Sequence, residues 1–425
     1  MMKRKIAVWV VTASVYLCAS TLNVDDLVGI ALRHSPDIAV GHYNVQSARQ
    51  HSRSVESARL PQLGLSVHAD REYDHYRHSG SQHFDTLEGT LSASQLLYDF
   101  GKSAGEIEAA HQGEMASRAQ MQQLISDKIF EVKQRYYDAL KAKTLIWVYE
   151  KNYKLQKKHL YRAKKYLKAG IKTIIDVTDA KLQMEQARRS LTDASYLFRV
   201  RRTLLEESLG TVPEHGEYKL YMAQSDPTKW QLPKHEAKLD ALLQYAQKHR
   251  PVLLQSEHDI MGSRAYARSK SLHYTPRLEL YGEAGAKALD PAGDDLMWRH
   301  EKAGVRMSWS LFSGYRESAE AEAARIDVMK AYAYKEQTSL AIRREVTEAY
   351  LNLQHMRENF FLNKEIVKQA RSKFHQAQKR YTNDLSDYVE LQDARQDFIQ
   401  SLAGLVNSYY EYFTARAALQ RAVGE

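Results

Sequence analysis

The sequence predicts a mainly α-helical rod that carries a small β portion and is built from two copies of one unit. Three observations predict it. The 8 prolines of the 425-residue chain leave 62–212 and 292–425 free of them, and good helix formers fill most of both stretches. Four shorter stretches alternate apolar and polar residues with the period of a strand. Landmarks in the first half return in the second after 214 or 215 positions.

At the N-terminus, Lys3, Arg4 and Lys5 precede an apolar run from Ile6 to Leu17, with small residues at Cys18, Ala19 and Ser20. This order predicts a secretory signal peptide over 1–20, cleaved after Ser20. Cys18 is the only cysteine, so disulfides, thiolate zinc sites and cysteine nucleophiles are excluded from the mature chain. The formal charge of +9 loses three basic residues with the signal. The remaining basic residues are spread along the helices rather than gathered into a patch, which gives no sign of nucleic-acid binding.

The first repeat, 21–210, opens with an amphipathic helical segment from Val24 to about Arg59, interrupted at His34-Ser35-Pro36. After Pro61, Leu63, Leu65, Val67 and Ala69 alternate with polar residues, as do Leu87, Gly89, Leu91 and Ala93. A polar tip holding Tyr73, Tyr76, His75, His78 and His83 separates them and reads as a loop. A helix from Lys102 to about Lys168 follows, roughly 100 Å long at 1.5 Å per residue. Its apolar face carries Ile125, Ile129, Val132, Tyr136 and Leu140. A turn over 169–173 leads to a second helix over 174–209. Since 24–59 and 174–209 together nearly match 102–168 in length, two shorter helices can stack end to end beside the long one.

The segment 211–238, with Pro213, Pro227, Pro233 and Gly216, reads as an irregular linker. The second repeat, 239–425, then restarts the pattern. Pro251 follows Pro36, and Pro276 follows Pro61, each by 215 positions; Tyr350 follows Tyr136, and Gly424 follows Gly210, each by 214. Its strands carry Leu278, Leu280, Gly282, Ala284 and Ala286, then Ala303, Val305, Met307, Trp309 and Leu311, on their apolar faces. So long a period indicates a duplicated structural half rather than a solenoid array.

A strand with one apolar and one polar face can cover a soluble core or stand in a membrane between lipid and water. The export signal, strands of membrane-crossing length and the lack of a helix with a spare apolar face favour the membrane. In lipid a sheet must close into a barrel, and single-chain barrels need about 8 strands. Four strands cannot close alone, so the chain is expected to oligomerise, with two copies giving eight strands and three giving twelve. On this reading Leu65, Leu91, Leu280 and Val305 face lipid, and Glu88, Glu279, Glu283 and Arg306 face water.

Several stretches carry a family resemblance: Leu27-Val28-Gly29-Ile30-Ala31-Leu32, the prolines at 36 and 61, Gln95-Leu96-Leu97-Tyr98-Asp99-Phe100-Gly101, and Ile175-Asp176-Val177-Thr178-Asp179-Ala180. In order and spacing, from about 24 to 425, the chain resembles TolC-type outer-membrane efflux and secretion channels. The resemblance implies a homotrimer with a 12-strand outer-membrane β-barrel, a coiled-coil α-helical barrel reaching into the periplasm and an equatorial layer near 211–238. It also implies work with a periplasmic adaptor (membrane fusion) protein and an inner-membrane ABC or proton-driven transporter, in drug efflux or type I secretion. The second copy departs from the family pattern at Leu311-Phe312-Ser313-Gly314-Tyr315, which lacks the usual aspartate and second glycine, and at Arg380-Tyr381-Thr382-Asn383-Asp384, which lacks the glycine expected after the tyrosine.

The acidic pairs Asp176 and Asp179, and Glu390 and Asp393, sit three apart at the start of corresponding helices. They are candidates for a periplasmic gate or constriction, and acids there also cap a helix and meet its dipole favourably. Tyr73, Tyr76, Tyr98, Trp298 and Trp309 are candidates for an interfacial aromatic belt, though packing at sheet ends explains any one of them equally well. Nothing fixes the loop histidines into a metal geometry. With no phosphate cradle, catalytic triad or metal-ligand spacing, neither an enzyme nor a bound cofactor is expected. The alternative to a passive export duct is a soluble periplasmic coiled-coil scaffold or adaptor whose strands form a cap.

Overall fold

Both halves of the chain fold through the same order of elements. A computed structural model describes residues 21–76, 80–171, 173–222, 226–233, 238–289, 296–383 and 385–425. The expected signal peptide over 1–20 and the loop residue His78 lie outside them. The first half runs β1 (Thr21–Leu22), α1 (Val24–His34), α2 (Pro36–Glu56), β2 (Gln62–Tyr76), β3 (Gly80–Tyr98), α3 (Lys102–Lys168) and α4 (Ile174–Leu209). After β4 (Lys219–Leu220), the second half runs α5 (Leu239–His249), α6 (Pro251–Ser271), β5 (Arg277–Leu289), β6 (Leu296–Ser308), α7 (Arg316–Thr382) and α8 (Tyr388–Val423). Helix lengths of 11, 21, 67 and 36 residues recur in the same order in both halves.

The breaks between helices follow from local chemistry. Ser35 and Arg250 are extended, and Pro36 and Pro251 open the next helix, where the absent proline N–H would have had no helical partner. Asn23 caps α1 by accepting from the backbone of Asp25 and Asp26, while Asp26 accepts the Asn23 N–H in return. Helix α4 ends at Gly210 with φ +70°, a left-handed conformation that glycine adopts without strain. This end abuts the junction of α1 and α2. A Cβ at position 210 would lie 2.5 Å from the His34 carbonyl oxygen and 2.8 Å from Pro36 Cδ. The shorter helices are therefore stacked end to end beside α3, with a glycine at the joint.

Helix α3 packs against α2 and α6 on its strand-proximal part and against α4 and α8 beyond. The largest core lies between these regions, where Leu27, Val132, Tyr136, Leu205, Leu209, Trp230, Phe360, Leu405 and Tyr410 are all buried. Of the expected apolar face of α3, Val132, Tyr136 and Leu140 are buried, while Ile125 and Ile129 are half-buried. The described residues of the 211–238 segment are more regular than its prolines suggest. Strand β4 pairs in parallel with β1, Tyr136 donates to the Tyr221 carbonyl at 3.0 Å, and buried Trp230 stacks on Tyr409 at 4.1 Å. Backbone polar groups in this strap find partners on the helices, which is the condition for burying an irregular segment.

The four longer strands form one antiparallel sheet in the order β2-β3-β5-β6, so the two hairpins meet through β3 and β5. The first hairpin corrects the sequence reading: strand pairing continues through the polar tip from Arg71↔Asp85 to Tyr76↔Gly80. Charged and aromatic residues there obscure the alternation without interrupting the ladder. Strand β6 begins at Leu296 and ends at Ser308, so Trp309 and Leu311 follow the strand rather than ending it. Among the described residues no helix is long and apolar enough to cross a membrane.

The joint at Gly210 gives the first test. Gly210→Ala forces a side chain into the left-handed region, at a cost of about 1–3 kcal/mol, and into contact with His34 and Pro36. Its unfolding midpoint is expected to fall, whereas Gly113→Ala, on an open face of α3, is expected to leave it unchanged or raised.

Candidate functional site

The sheet register resolves the two faces residue by residue. Leu65 lies opposite Leu91, Leu91 opposite Ala284, and Leu280 opposite Val305. Because side chains alternate with period two, Leu65, Leu91, Leu280 and Val305 share one face. The same pairing sets Ser92 opposite Glu283, and Glu279 opposite Arg306, so Glu88, Glu279, Glu283 and Arg306 share the other. The apolar face is bare: Leu65 is 74% exposed, Val305 58% and Leu91 53%.

The polar face is laced with charge pairs. Arg277 meets Glu279 at 2.5 Å and Lys302 meets Glu283 at 3.7 Å. The Arg306 guanidinium lies 4.4 Å from the centre of the Tyr281 ring. That ring crosses Gly304, where a Cβ would meet it at 3.3 Å, so the glycine makes room for the stack. The apolar face ends abruptly away from the helices. Arg71 and Asp85 pair on it at 2.6 Å, and on β6 it gives way beyond Ala303 to Glu301 and Arg299, opposite Ala284 and Ala286.

Where the sheet meets the helices, Tyr98, Phe100, Trp309, Phe312 and Tyr315 are all exposed. Phe100 and Gly101 correspond to Gly314 and Tyr315 in the second repeat, and all four have positive φ, 60° at Phe100 and 62° at Tyr315, a conformation uncommon for bulky residues. The sequence alternation gave no hint of these turns. Among the other belt candidates, Trp298 lies opposite Lys287 on the polar face, which the sequence reading did not separate from the rest. The side chains of Tyr73, Tyr76, His75 and His83 lie outside the described residues. Among the described residues no cluster of His, Cys, Asp and Glu could hold a metal.

At the far ends of the helices, the acidic pairs have unequal surroundings. Asp176 is engaged in a full capping box, accepting the backbone N–H and hydroxyl of Thr173, each at 2.8 Å. Asp179 is exposed. In the second copy Asp387 caps α8 by accepting the Glu390 N–H at 3.0 Å. The reciprocal half of the box suggested by Asp387-x-x-Glu390 is not made, because the Glu390 carboxylate instead meets Arg380 at 3.1 Å. Asp393 is exposed on the next turn. Lys373 bonds Asp397 at 2.6 Å. Its ammonium is held above the usual lysine value by Asp397 first, with Asp393 and Glu390 adding to it. Two cations thus sit among three carboxylates, which the sequence reading missed because the partners lie on opposite arms of a helical hairpin.

The first tip turns through Gly170 at φ +73°, with the Ile171 N–H donating to Tyr166. The second uses no left-handed residue among those described; Leu385 N–H returns to the Arg380 carbonyl at 2.9 Å. Between the helical pairs, His159 of α3 stacks on Tyr388 of α8 at 4.3 Å. Arg395 on α8 is buried, donating to Gln392 and, at 3.4 Å, to the Tyr388 hydroxyl. Burial pulls its pKa below the usual arginine value, and Tyr388 acts in opposition.

Three comparisons agree with this architecture. A model of the outer membrane efflux protein family matches residues 27–211 and again 242–425, so the tandem repeat is matched copy by copy. The chain is 20% identical over 406 residues to the outer membrane protein TolC of Escherichia coli (strain K12), spanning 92% of this chain and 80% of that protein. It is similar to the crystal structure of a membrane protein from Pseudomonas aeruginosa (TM-score 0.79, 20% identity, covering 94% of this chain and 93% of that one). It is also similar to the open state of the MtrE outer membrane channel of Neisseria gonorrhoeae (TM-score 0.76, 17% identity, covering 94% and 88%). With both copies matched and the fold shared throughout, the chain belongs to the outer membrane efflux protein family.

Proposed function

We propose that this outer-membrane efflux channel works as a homotrimer, in which three four-stranded sheets close a 12-strand barrel above a ring of twelve helical positions. The observation that carries the reading is a sheet with one bare apolar face, one charged face and two unpaired edges. Edges left open in lipid would strand a row of backbone donors and acceptors, and pairing with other copies removes them. The channel gives passive exit to substrates delivered by an inner-membrane transporter through a periplasmic adaptor. Drug efflux and type I protein secretion both fit this duct. The test is extraction: the protein is expected to resist a carbonate wash and to run as a heat-modifiable oligomer in detergent, and release by carbonate as a monomer would sink the proposal.

In this trimer Leu65, Leu91, Leu280 and Val305 face lipid, and Glu88, Glu279, Glu283 and Arg306 line the aqueous lumen. Arginine at Leu65 or Val305 is then expected to cost about 2–4 kcal/mol near mid-membrane and to reduce the heat-modifiable oligomer, whereas Glu279→Gln assembles normally. Equal impairment by both kinds of change would contradict the face assignment.

Glu390 and Asp393 of three copies form the narrow periplasmic entrance, with Asp176 and Asp179 set further from the axis. The field in a constriction follows its lining rather than the charge of the whole chain, so an acidic entrance selects cations although the protein is basic. In single-channel recordings, Glu390→Gln with Asp393→Asn is expected to weaken cation selectivity and block by multivalent cations, and the matching Asp176 and Asp179 changes should do less. Arg380→Gln, which removes the partner of Glu390, is expected to act oppositely and strengthen selectivity. Unchanged selectivity in an assembled Glu390/Asp393 double variant would leave these acids outside the conduction path.

A further inference from the structure

Four charged residues of the described chain are buried: Glu114, Lys128, Arg250 and Arg395. Three of them have an opposite charge. Glu114 pairs with Arg118 at 2.6 Å, Lys128 with Asp37 at 2.7 Å and Glu131 at 3.0 Å, and Arg250 with Glu345 at 3.1 Å. Arg395, 5% exposed, has none. Its partners among the described residues are Gln392 and the Tyr388 hydroxyl, both neutral and both met through Nη2. The Nε and Nη1 donors are left over. A buried ion without a counter-charge is a costly arrangement.

The guanidinium borders a cavity of about 300 Å³ between α3, α4 and α8. The walls hold no carboxylate; they are amides, chiefly Asn152, Gln156, Gln183, Gln186 and Gln392. Two are themselves unsatisfied: Gln156, 3% exposed, leaves Oε1 without a partner, and Asn152 leaves Oδ1 so. The oxygen and nitrogen of an amide are nearly interchangeable in shape, so these ends can turn to present N–H groups. With the amides so turned, the pocket would present donors beside one fixed positive charge.

We propose that this cavity is a binding site for a small monovalent anion of the halide class, held by Arg395 and the surrounding amides. One guanidinium balances one negative charge, whereas a doubly charged phosphate or sulfate would leave a second charge buried and unpaired. An anion here is shared by α3, α4 and α8 and ties the two helical pairs together near their tips.

The test is crystallography with an anomalous scatterer. The full protein, isolated in detergent and crystallised from sodium bromide, is expected to show an anomalous peak beside Arg395 that is lost in Arg395→Gln. Water or empty density at that point, a peak retained in the variant, or a carboxylate of a neighbouring copy seated on Arg395 would each overturn the proposal. Should Arg395→Gln fail to assemble, the wild-type protein decides the matter by the bromide map and by melting. Ligands that bind the folded state raise its melting point. The midpoint is expected to shift upward as bromide replaces gluconate at fixed ionic strength, and coincident midpoints would count against the site.

Discussion

The unpaired edges of the four-stranded sheet are the constraint on which the rest of the molecule depends. Strands β2 and β6 each leave one side unpaired by any other strand among the described residues. In water those groups would bond to solvent, but in the hydrocarbon of the outer membrane each one left unmade costs several kcal/mol. A row of them exceeds the marginal stability of an entire domain. The sheet therefore makes sense only as part of a larger closed surface, and whatever closes it must bring further copies of the helices into a ring.

The duplicated helices are matched to that requirement. Because α3 and α7 are both 67 residues, and their shorter companions repeat as 11, 21 and 36, every position around such a ring has the same length. The two copies are joined at three levels: through β3 and β5 in the sheet, through α3 and α6 below it, and at the equator through a core that includes Tyr218, Leu220 and Trp230. Only the last level is a large shared apolar core. The copies nevertheless differ where one side chain has a second task. Ser35 at the first helix joint is replaced in the second by Arg250, whose guanidinium donates to the last carbonyls of α8 at Arg421 and Ala422, giving that helix end partners which its own backbone lacks.

The helices, the repeat and the sheet faces were legible in the sequence because each rests on local pattern: an absence of proline, a period of two, a fixed spacing. The outer part of the first hairpin was not. From Arg71 to Tyr76 and from Gly80 to Asp85 the sequence mixes charged, polar and aromatic residues without alternation, and the ladder that holds them is a backbone property without a side-chain signature. The charge partners at the second tip were hidden for another reason. Arg380 and Lys373 meet Glu390 and Asp397 only because a helical hairpin folds them together, and no periodicity records which of many charges will meet. The left-handed Phe100 and Tyr315 were invisible because such conformations normally belong to glycine.

The polarity of the seams sets how firmly each level is held. Near the tips, each helical pair has its own small apolar core: Leu160, Ala163 and Ala180 between α3 and α4, and Ala377, Leu391 and Ala394 between α7 and α8. Among the described residues the pairs are joined there not by a comparable core but by the contacts of His159 with Tyr388 and Tyr381 and by the amide-lined cavity at Arg395. At the equator the same pairs are fused by Tyr136, Phe360, Leu405 and Tyr410. Apolar burial supplies most of the cohesion of a fold, so separation of one pair from the other costs least at the tips and most at the equator. The free ends of α7 and α8 can thus shift as a unit about a fixed waist, keeping their internal packing while the polar seam exchanges its bonds with water.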